Sequence, residues 1–293
     1  MTLREVVTRV VALVAESTVL ERDVRDDAAR EGRLLVAGVL ALSPGELAQR
    51  LVVEPALRPG EAEAIERALH RRLRGEPLAY AVGSAPFREL VLQVDRRVLI
   101  PRPETEVVVG EALRLTALRP GGVAVDIGTG SGAIALALAT EGHFDEVIAT
   151  DVSADALEVA EGNAQRLLRP IHAPVRFRLG ADLAPLEGVR ARVIVSNPPY
   201  IAYEEAEALP RSVRDWEPPV ALFAAERGMA RYQALLAGAQ ERLEPGGVLV
   251  LELDAQRAPE TAQIAVRQGF EDVRVVQDYS GRDRVLTARA PGA

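Results

Sequence analysis

Asn197-Pro198-Pro199-Tyr200 follows directly on the run Val193-Ile194-Val195-Ser196, which reads as a buried strand. Two consecutive prolines fix φ and remove two backbone donors, so a strand ending there passes into rigid backbone. The carboxyl end of a strand is where open α/β sheets place their ligands. The side-chain oxygen of Asn197 is one acceptor, and the Pro198 carbonyl is a second, its imide geometry fixed by Pro199. Tyr200 adds an aromatic face that can cover a flat group and exclude water. Two fixed acceptors suit a planar NH2 group, whether amide or exocyclic amine. Holding both hydrogens localises a lone pair that is otherwise delocalised and aims it at an electrophile. On the tetrapeptide alone, a rigid capped loop without chemistry stays open.

The electrophile is suggested by a second motif. Asp126-Ile127-Gly128-Thr129-Gly130-Ser131-Gly132 lies between a strand at Val123–Ile127 and a helix from Ser131 to Thr140. Its glycines fall at every second position, which is not the dinucleotide pattern G-x-G-x-x-G. They allow a tight turn and let a ligand lie against bare backbone. The next strand ends at Asp151, where a carboxylate can accept from both hydroxyls of a ribose. Asp126 suits an ammonium, and Asp182 suits an adenine amino group or serves only as a turn residue. A ligand with a ribose and a zwitterionic amino acid but no pyrophosphate is S-adenosyl-L-methionine. With Asn197 beside it, the expected reaction is methyl transfer to a planar nitrogen.

The elements that must position these motifs alternate. Strands are expected at Val123–Ile127, Glu146–Thr150, Val175–Leu179, Val193–Ser196, Gly246–Leu253, Asp272–Gln277 and Asp283–Ala288. Helices are expected at Ser131–Thr140, Ala154–Leu168, 229–243 and 257–268. Such alternation means an α/β, doubly wound, mostly parallel seven-stranded sheet, with the last two strands an antiparallel pair. Residues 1–75 read instead as a small helical bundle: Val6, Val7, Val10, Val11 and Val14 mark one face, and Leu34, Leu35, Val36, Val39 and Leu40 another. Ser43-Pro44-Gly45-Glu46 and Pro59-Gly60-Glu61 open two further helices. Residues 76–103 read as a β-hairpin linker turning at Asp95-Arg96-Arg97, and residues 104–293 as the methyltransferase domain. Glu104 and Glu106 suit the cofactor's entrance or the first turn of a helix. The acidic run at 204–207 suits a lid or a helix start.

Composition narrows the classes. The 293 residues carry a net charge of −8, and all 35 basic residues are Arg. Residues 1–90 hold 13 Arg against 14 Asp and Glu, so no basic arm for nucleic acid is expected. The chain has no cysteine, and its three histidines, His70, His143 and His172, make no ligand spacing, so no metal is expected. No apolar run approaches the roughly 20 residues of a membrane span, and no secretory signal is visible. The expected location is cytoplasmic.

With these residues in view, the sequence resembles the release-factor glutamine N5-methyltransferases, the PrmC/HemK family. Gly75-Glu76-Pro77-Leu78-Ala79-Tyr80, Gly83, Phe87 and Val98-Leu99-Ile100-Pro101-Arg102-Pro103-Glu104-Thr105-Glu106 match the family's interdomain segment. Asp126–Gly132, Asp151, Ser196–Ile201, Glu217-Pro218, Ala221-Leu222, Pro245-Gly246-Gly247 and Asp283-Arg284-Val285 match in order. The resemblance implies methylation of the glutamine in the Gly-Gly-Gln motif of class I peptide chain release factors. It implies Gly128–Gly132, Asp151 and Asn197 around the cofactor, Asn197 to Tyr200 on the substrate, and the helical bundle as the docking surface. Two positions depart from the pattern. Leu183 stands where some members carry an aromatic residue against adenine, and Asp254 stands where the family tends to glycine. The alternatives are a ribosomal-protein glutamine methyltransferase, an adenine-N6 DNA methyltransferase, and a non-catalytic cofactor-binding scaffold.

Overall fold

The computed structural model describes residues 2–53 and 56–292. The chain divides into two compact units, the first comprising Met1–Ser84 with Pro210–Trp216, the second Ala85–Leu209 with Glu217–Ala293.

The first unit is helical. Its N-terminal elements are α1 (Leu3–Ala15), α2 (Arg22–Asp26), α3 (Ala28–Val39), α4 (Pro44–Val53), α5 (Glu61–Leu73) and α6 (Leu78–Val82). Thr2 and Glu5 close a capping box on α1, and Ser43 and Glu46 close another on α4. Val6, Val10, Val14, Leu35, Val36, Ile65 and Leu69 fill the core of this unit. Pro210–Trp216 is tied into it where Ser212 donates to the Glu21 carboxylate from both its backbone N–H and its hydroxyl, at 3.3 Å.

A hairpin of β1 (Ser84–Phe87) and β2 (Leu90–Gln93) follows, all but Ser84 of it in the second unit. The turn is at Arg88-Glu89, not at Asp95–Arg97, and Val98–Ile100 forms no strand. Arg88 carries φ +50, and its backbone N–H and guanidinium are held by Glu106 and Glu141. Tertiary bonds thus stabilise a turn that has neither Gly nor Asn to announce it. The Ile100 N–H donates to the Glu217 carboxylate rather than to a strand partner.

After α7 (Pro103–Thr116) come β3 (Val123–Ile127), α8 (Ala133–Glu141), β4 (Glu146–Asp151), α9 (Ala154–Leu167), β5 (Val175–Leu179) and β6 (Ala191–Ser196). The chain continues through α10 (Arg211–Arg214), which belongs to the first unit, then α11 (Pro219–Leu222) and α12 (Ala230–Gly238). It closes with β7 (Leu243–Glu252), α13 (Ala258–Arg267), β8 (Glu271–Gln277) and β9 (Asp283–Arg289). The strand order is β5-β4-β3-β6-β7-β9-β8, parallel from β5 to β7, with β9 antiparallel to both its neighbours. This is the expected doubly wound sheet. The helix expected over 229–243 stops at Gly238, followed by a single 3-10 turn at Gln240–Arg242.

From β3 the chain winds outward through β4 to β5, then returns to β6 on the other side of β3. The loops leaving β3 and β6 therefore diverge and open a crevice at the carboxyl ends of the strands. Ile127 and Ser196 are register partners, and the Ser196 hydroxyl donates to the Ile127 carbonyl at 2.7 Å. Gly128 and Asn197, the next residues on each strand, thus stand side by side at the crevice.

Candidate active site

The crevice is a cleft with roughly 810 Å3 of empty space, part of it open to solvent. Gly128, Gly130, Asp151, Asp182, Asn197, Pro198 and Pro199 line it together. Sequence reasoning missed much of the remaining wall, including Val98, Val152, Ala181, Val220 and Arg231. These are small, apolar or paired side chains whose types carry no chemical signal.

Gly128 has φ +74 and Gly130 φ +54, and a Cβ on either would meet nothing within 4 Å. Bare backbone at both positions thus borders open space. The loop's N–H groups do not point there. Those of Gly128 and Thr129 both donate to the Thr150 carbonyl at 2.9 Å, that of Gly130 to Asp151 Oδ2, and that of Gly132 to the Thr129 carbonyl. These four N–H groups are therefore engaged within the protein, in contrast to the free donors of helix N-termini that grip pyrophosphate.

Asp151 accepts from Gly130 at Oδ2 and from Ser153 at Oδ1, both at 2.9 Å. Each carboxylate oxygen keeps further lone-pair capacity toward the cleft. Asp182, at φ +48, is paired with Arg231 at 2.8 Å. Its carboxylate is fixed at the rim by that guanidinium.

Five predicted site residues lie behind the wall. Asp126 is fully buried: Oδ2 accepts from the Thr129 hydroxyl at 2.6 Å and the Ala135 N–H at 3.0 Å, while Oδ1 has no hydrogen-bond partner among the described residues. Burial pushes its pKa up to about 7. Thr129 is absorbed in holding Asp126. The Ser131 carbonyl accepts from Asn163 Nδ2, and Gly132 packs against Leu136 and Ala160. Leu183 joins the hydrophobic core and packs on α12, where a Cβ on Gly238 would come 2.8 Å from its Cδ1. Its side chain is not among those lining the cleft.

Tyr200 also departs from expectation. Its ring packs against the core cluster instead of lining the cleft. Burial, then the charge of Glu252, pushes its phenol further from ionisation. Its carbonyl lies so close to Gly228 that a Cβ there would collide with it. Tyr200 therefore anchors the tetrapeptide by its far end.

Asn197 is held from behind. Its Nδ2 donates to Thr105 Oγ1 at 3.2 Å, and the Thr105 hydroxyl donates to Glu252 Oε2 at 2.6 Å. Thr105 opens α7 and Glu252 ends β7, and both are buried. With Nδ2 so engaged, Asn197 Oδ1 is left for the cleft. Among the described residues no donor reaches the Pro198 carbonyl. Glu217, buried and bonded to Arg102 at 2.5 Å, fixes the segment that continues into Pro218, Val220 and Ala221 on the cleft wall. The acidic run at 204–207 sits in a 3-10 helix, Tyr203–Ala208, with Glu205 capping Ala202 and paired with Arg257. Asp254 builds its own turn, accepting from the Gln256 N–H and pairing with Arg257, so no glycine is required there.

A doubly wound sheet with a glycine loop, a strand-end carboxylate and Asn-Pro-Pro-Tyr at its switch point defines a methyltransferase. The methyltransferase small domain family matches residues 105–211, and the PrmC N-terminal domain matches residues 13–83. A methyltransferase from Pyrococcus furiosus shares the fold at a TM-score of 0.51 and 23% identity, covering 68% of this chain and 88% of its own. The release factor glutamine methyltransferase of Cereibacter sphaeroides is 38% identical over 92% of this chain and 93% of its own length. That of Moorella thermoacetica is 39% identical over 88% and 90%. The chain belongs to the release factor glutamine methyltransferase family.

Proposed function

We propose that this chain transfers a methyl group from S-adenosyl-L-methionine to the side-chain amide nitrogen (N5) of the glutamine in the Gly-Gly-Gln motif of class I release factors. The observation that carries the reading is the pair of acceptors at the switch point. Asn197 Oδ1 is freed by the engagement of Nδ2 with Thr105, and the Pro198 carbonyl has no protein donor. Two acceptors match the two hydrogens of a primary amide. The names carried by the relatives support glutamine as the amide.

The cleft fits the cofactor. Asp151 keeps acceptor capacity for both ribose hydroxyls, the backbone at Gly128 and Gly130 borders open space, and the N–H groups of Gly128, Thr129, Gly130 and Gly132 are engaged within the protein. Val152 and Ala181 give apolar walls for a base, with Asp182 at the rim. Asp126 Oδ1 is buried without a hydrogen-bond partner among the described residues, behind the loop and not on the cleft wall. When bound, the cofactor supplies an activated methyl carbon on a sulfonium.

The chain's own residues do the rest by positioning. Asn197 Oδ1 and the Pro198 carbonyl take the two amide hydrogens, which draws the nitrogen lone pair out of conjugation and fixes its direction. Pro199, Pro218 and Val220 border it with apolar surface on the cleft wall, which stays open to solvent. A methylated amide nitrogen is strongly acidic, so its surplus proton passes to water without a dedicated base. In this reading the helical unit docks the release factor.

The test is methyl incorporation from labelled S-adenosyl-L-methionine into a purified release factor, beside its Gly-Gly-Gln glutamine-to-alanine variant and duplex DNA. Label on the unmodified factor alone is expected. Label on DNA, or equal label on the alanine variant, overturns the substrate.

A further inference from the structure

Asn197 is useful to an amide only in one of its two orientations. With Oδ1 toward the cleft it accepts a hydrogen. Flipped, it presents Nδ2, a donor facing donors. The side chain cannot make this choice alone, because its two ends have nearly the same shape.

We propose that Thr105 and Glu252 are positioning residues that fix the amide orientation of Asn197 by fixing the direction of one hydroxyl hydrogen. The inference rests on the reading that Asn197 Oδ1 receives a substrate N–H. An ionised Glu252 is acceptor-only, so the Thr105 hydroxyl must donate to it across the 2.6 Å contact. Thr105 Oγ1 then has only lone pairs to offer Asn197, which must turn Nδ2 inward across 3.2 Å. Each step is dictated by the one before. A protonated Glu252 releases the chain, since its own O–H can donate to Thr105 and free the hydroxyl hydrogen to meet Asn197 Oδ1.

The relay is closed to water. Thr105 is 4% exposed and Glu252 1%, on elements drawn from opposite ends of the second unit's sequence. Several groups bear on Glu252. Arg284 from β9, itself bonded to Asp278, and Arg102 before α7 favour the carboxylate, whereas Glu104 on α7 opposes it. Tyr200 and Tyr232, with Asp254 beyond them, complete the polar surroundings. Burial outweighs the favourable contacts and holds the Glu252 pKa at about 7. The relay therefore switches on as pH rises through neutrality.

The experiment compares wild type, Thr105→Val, Thr105→Ser and Glu252→Gln in the full chain. It reads kcat and KM on a release factor, Kd for S-adenosyl-L-methionine, and the pH profile of kcat. Thr105→Val keeps shape and removes the hydroxyl; kcat is expected to fall by about 10-fold or more with cofactor Kd nearly unchanged. Thr105→Ser restores the hydroxyl and is expected to return kcat to within about threefold of wild type. Glu252→Gln retains an acceptor oxygen for Thr105 but cannot titrate, so the acid limb seen in wild type near neutrality should disappear. Wild-type kcat in Thr105→Val, failure of Thr105→Ser to rescue, or an acid limb that persists in Glu252→Gln overturns the relay. If Thr105→Val does not fold, the Glu252→Gln profile decides alone. A wild type that methylates no glutamine removes the underlying reading, whereas an active wild type matched by Thr105→Val removes only the relay.

Discussion

Asp151 commits one lone pair of each carboxylate oxygen to a backbone N–H and keeps the others toward the cleft. It is therefore both a strut for the glycine loop and the acceptor suited to a ribose. Asp151→Ala removes both roles, and cofactor Kd should rise by about 10- to 100-fold, the range for losing charge-assisted bonds of about 1.5–3 kcal/mol. Isothermal titration with S-adenosyl-L-methionine reads this directly. An unchanged Kd would place the ribose elsewhere. The same scale shows what residue type alone conceals. Tyr200 and Leu183 stand at positions where an aromatic face or an adenine contact is expected, yet both side chains pack into the core. Thr105 in its matched segment and Glu252 at the end of an apolar run carry no chemical signature, because their role depends on a contact between residues 147 positions apart.

Asn163 shows how elements are locked together. It is fully buried on α9, accepts from the Gln93 N–H, and donates to the carbonyls of Gln93 and Ser131. One side chain thus joins β2 to the glycine loop. Asn163→Ala leaves the buried Ser131 carbonyl and the part-buried N–H and carbonyl of Gln93 without this partner and should cost about 1–3 kcal/mol of stability, with weaker cofactor binding as the loop loosens. Urea unfolding checks the first part; a loss below 1 kcal/mol, if measured, would mean those groups find other partners. The strand and helix periods were largely legible, since β3, β5 and the mostly parallel sheet with its antiparallel last pair follow from apolar runs and alternation. The hairpin turn was not. Arg88-Glu89 has no turn composition, and its geometry is stabilised by Glu106 and Glu141, 18 and 53 residues away. The placement of Pro210–Trp216 in the first unit was equally hidden, because a short polar segment has no period to read.

At the scale of the whole molecule, burial of carboxyl groups sets a pH dependence. Asp126 and Glu252 both have pKa values raised by burial to about 7, and burial raises Glu217 despite its bond to Arg102. In an unfolded chain such groups ionise near pH 4. Between those values the folded state binds more protons, so stability falls as pH rises from about 4 through about 7. The cofactor-free protein should therefore unfold at lower denaturant at pH 8 than at pH 5. Glu252→Gln and Asp126→Asn should each shrink that difference. A midpoint that rises over this interval, or a difference untouched by either variant, would contradict the assignment. The group that supports the proposed relay when ionised is thus the one that destabilises the sheet in the same state. No single helix among the described residues is long and apolar enough to cross a membrane.

The most direct measurement of the central claim is single-turnover methylation of a release factor by Asn197→Ala at saturating S-adenosyl-L-methionine. One positioned hydrogen-bonding group of this kind contributes about 100-fold or more to rate. The account predicts at least that loss, with cofactor affinity nearly unchanged. Turnover comparable to wild type at equal cofactor affinity would show that Asn197 does not hold the reacting nitrogen.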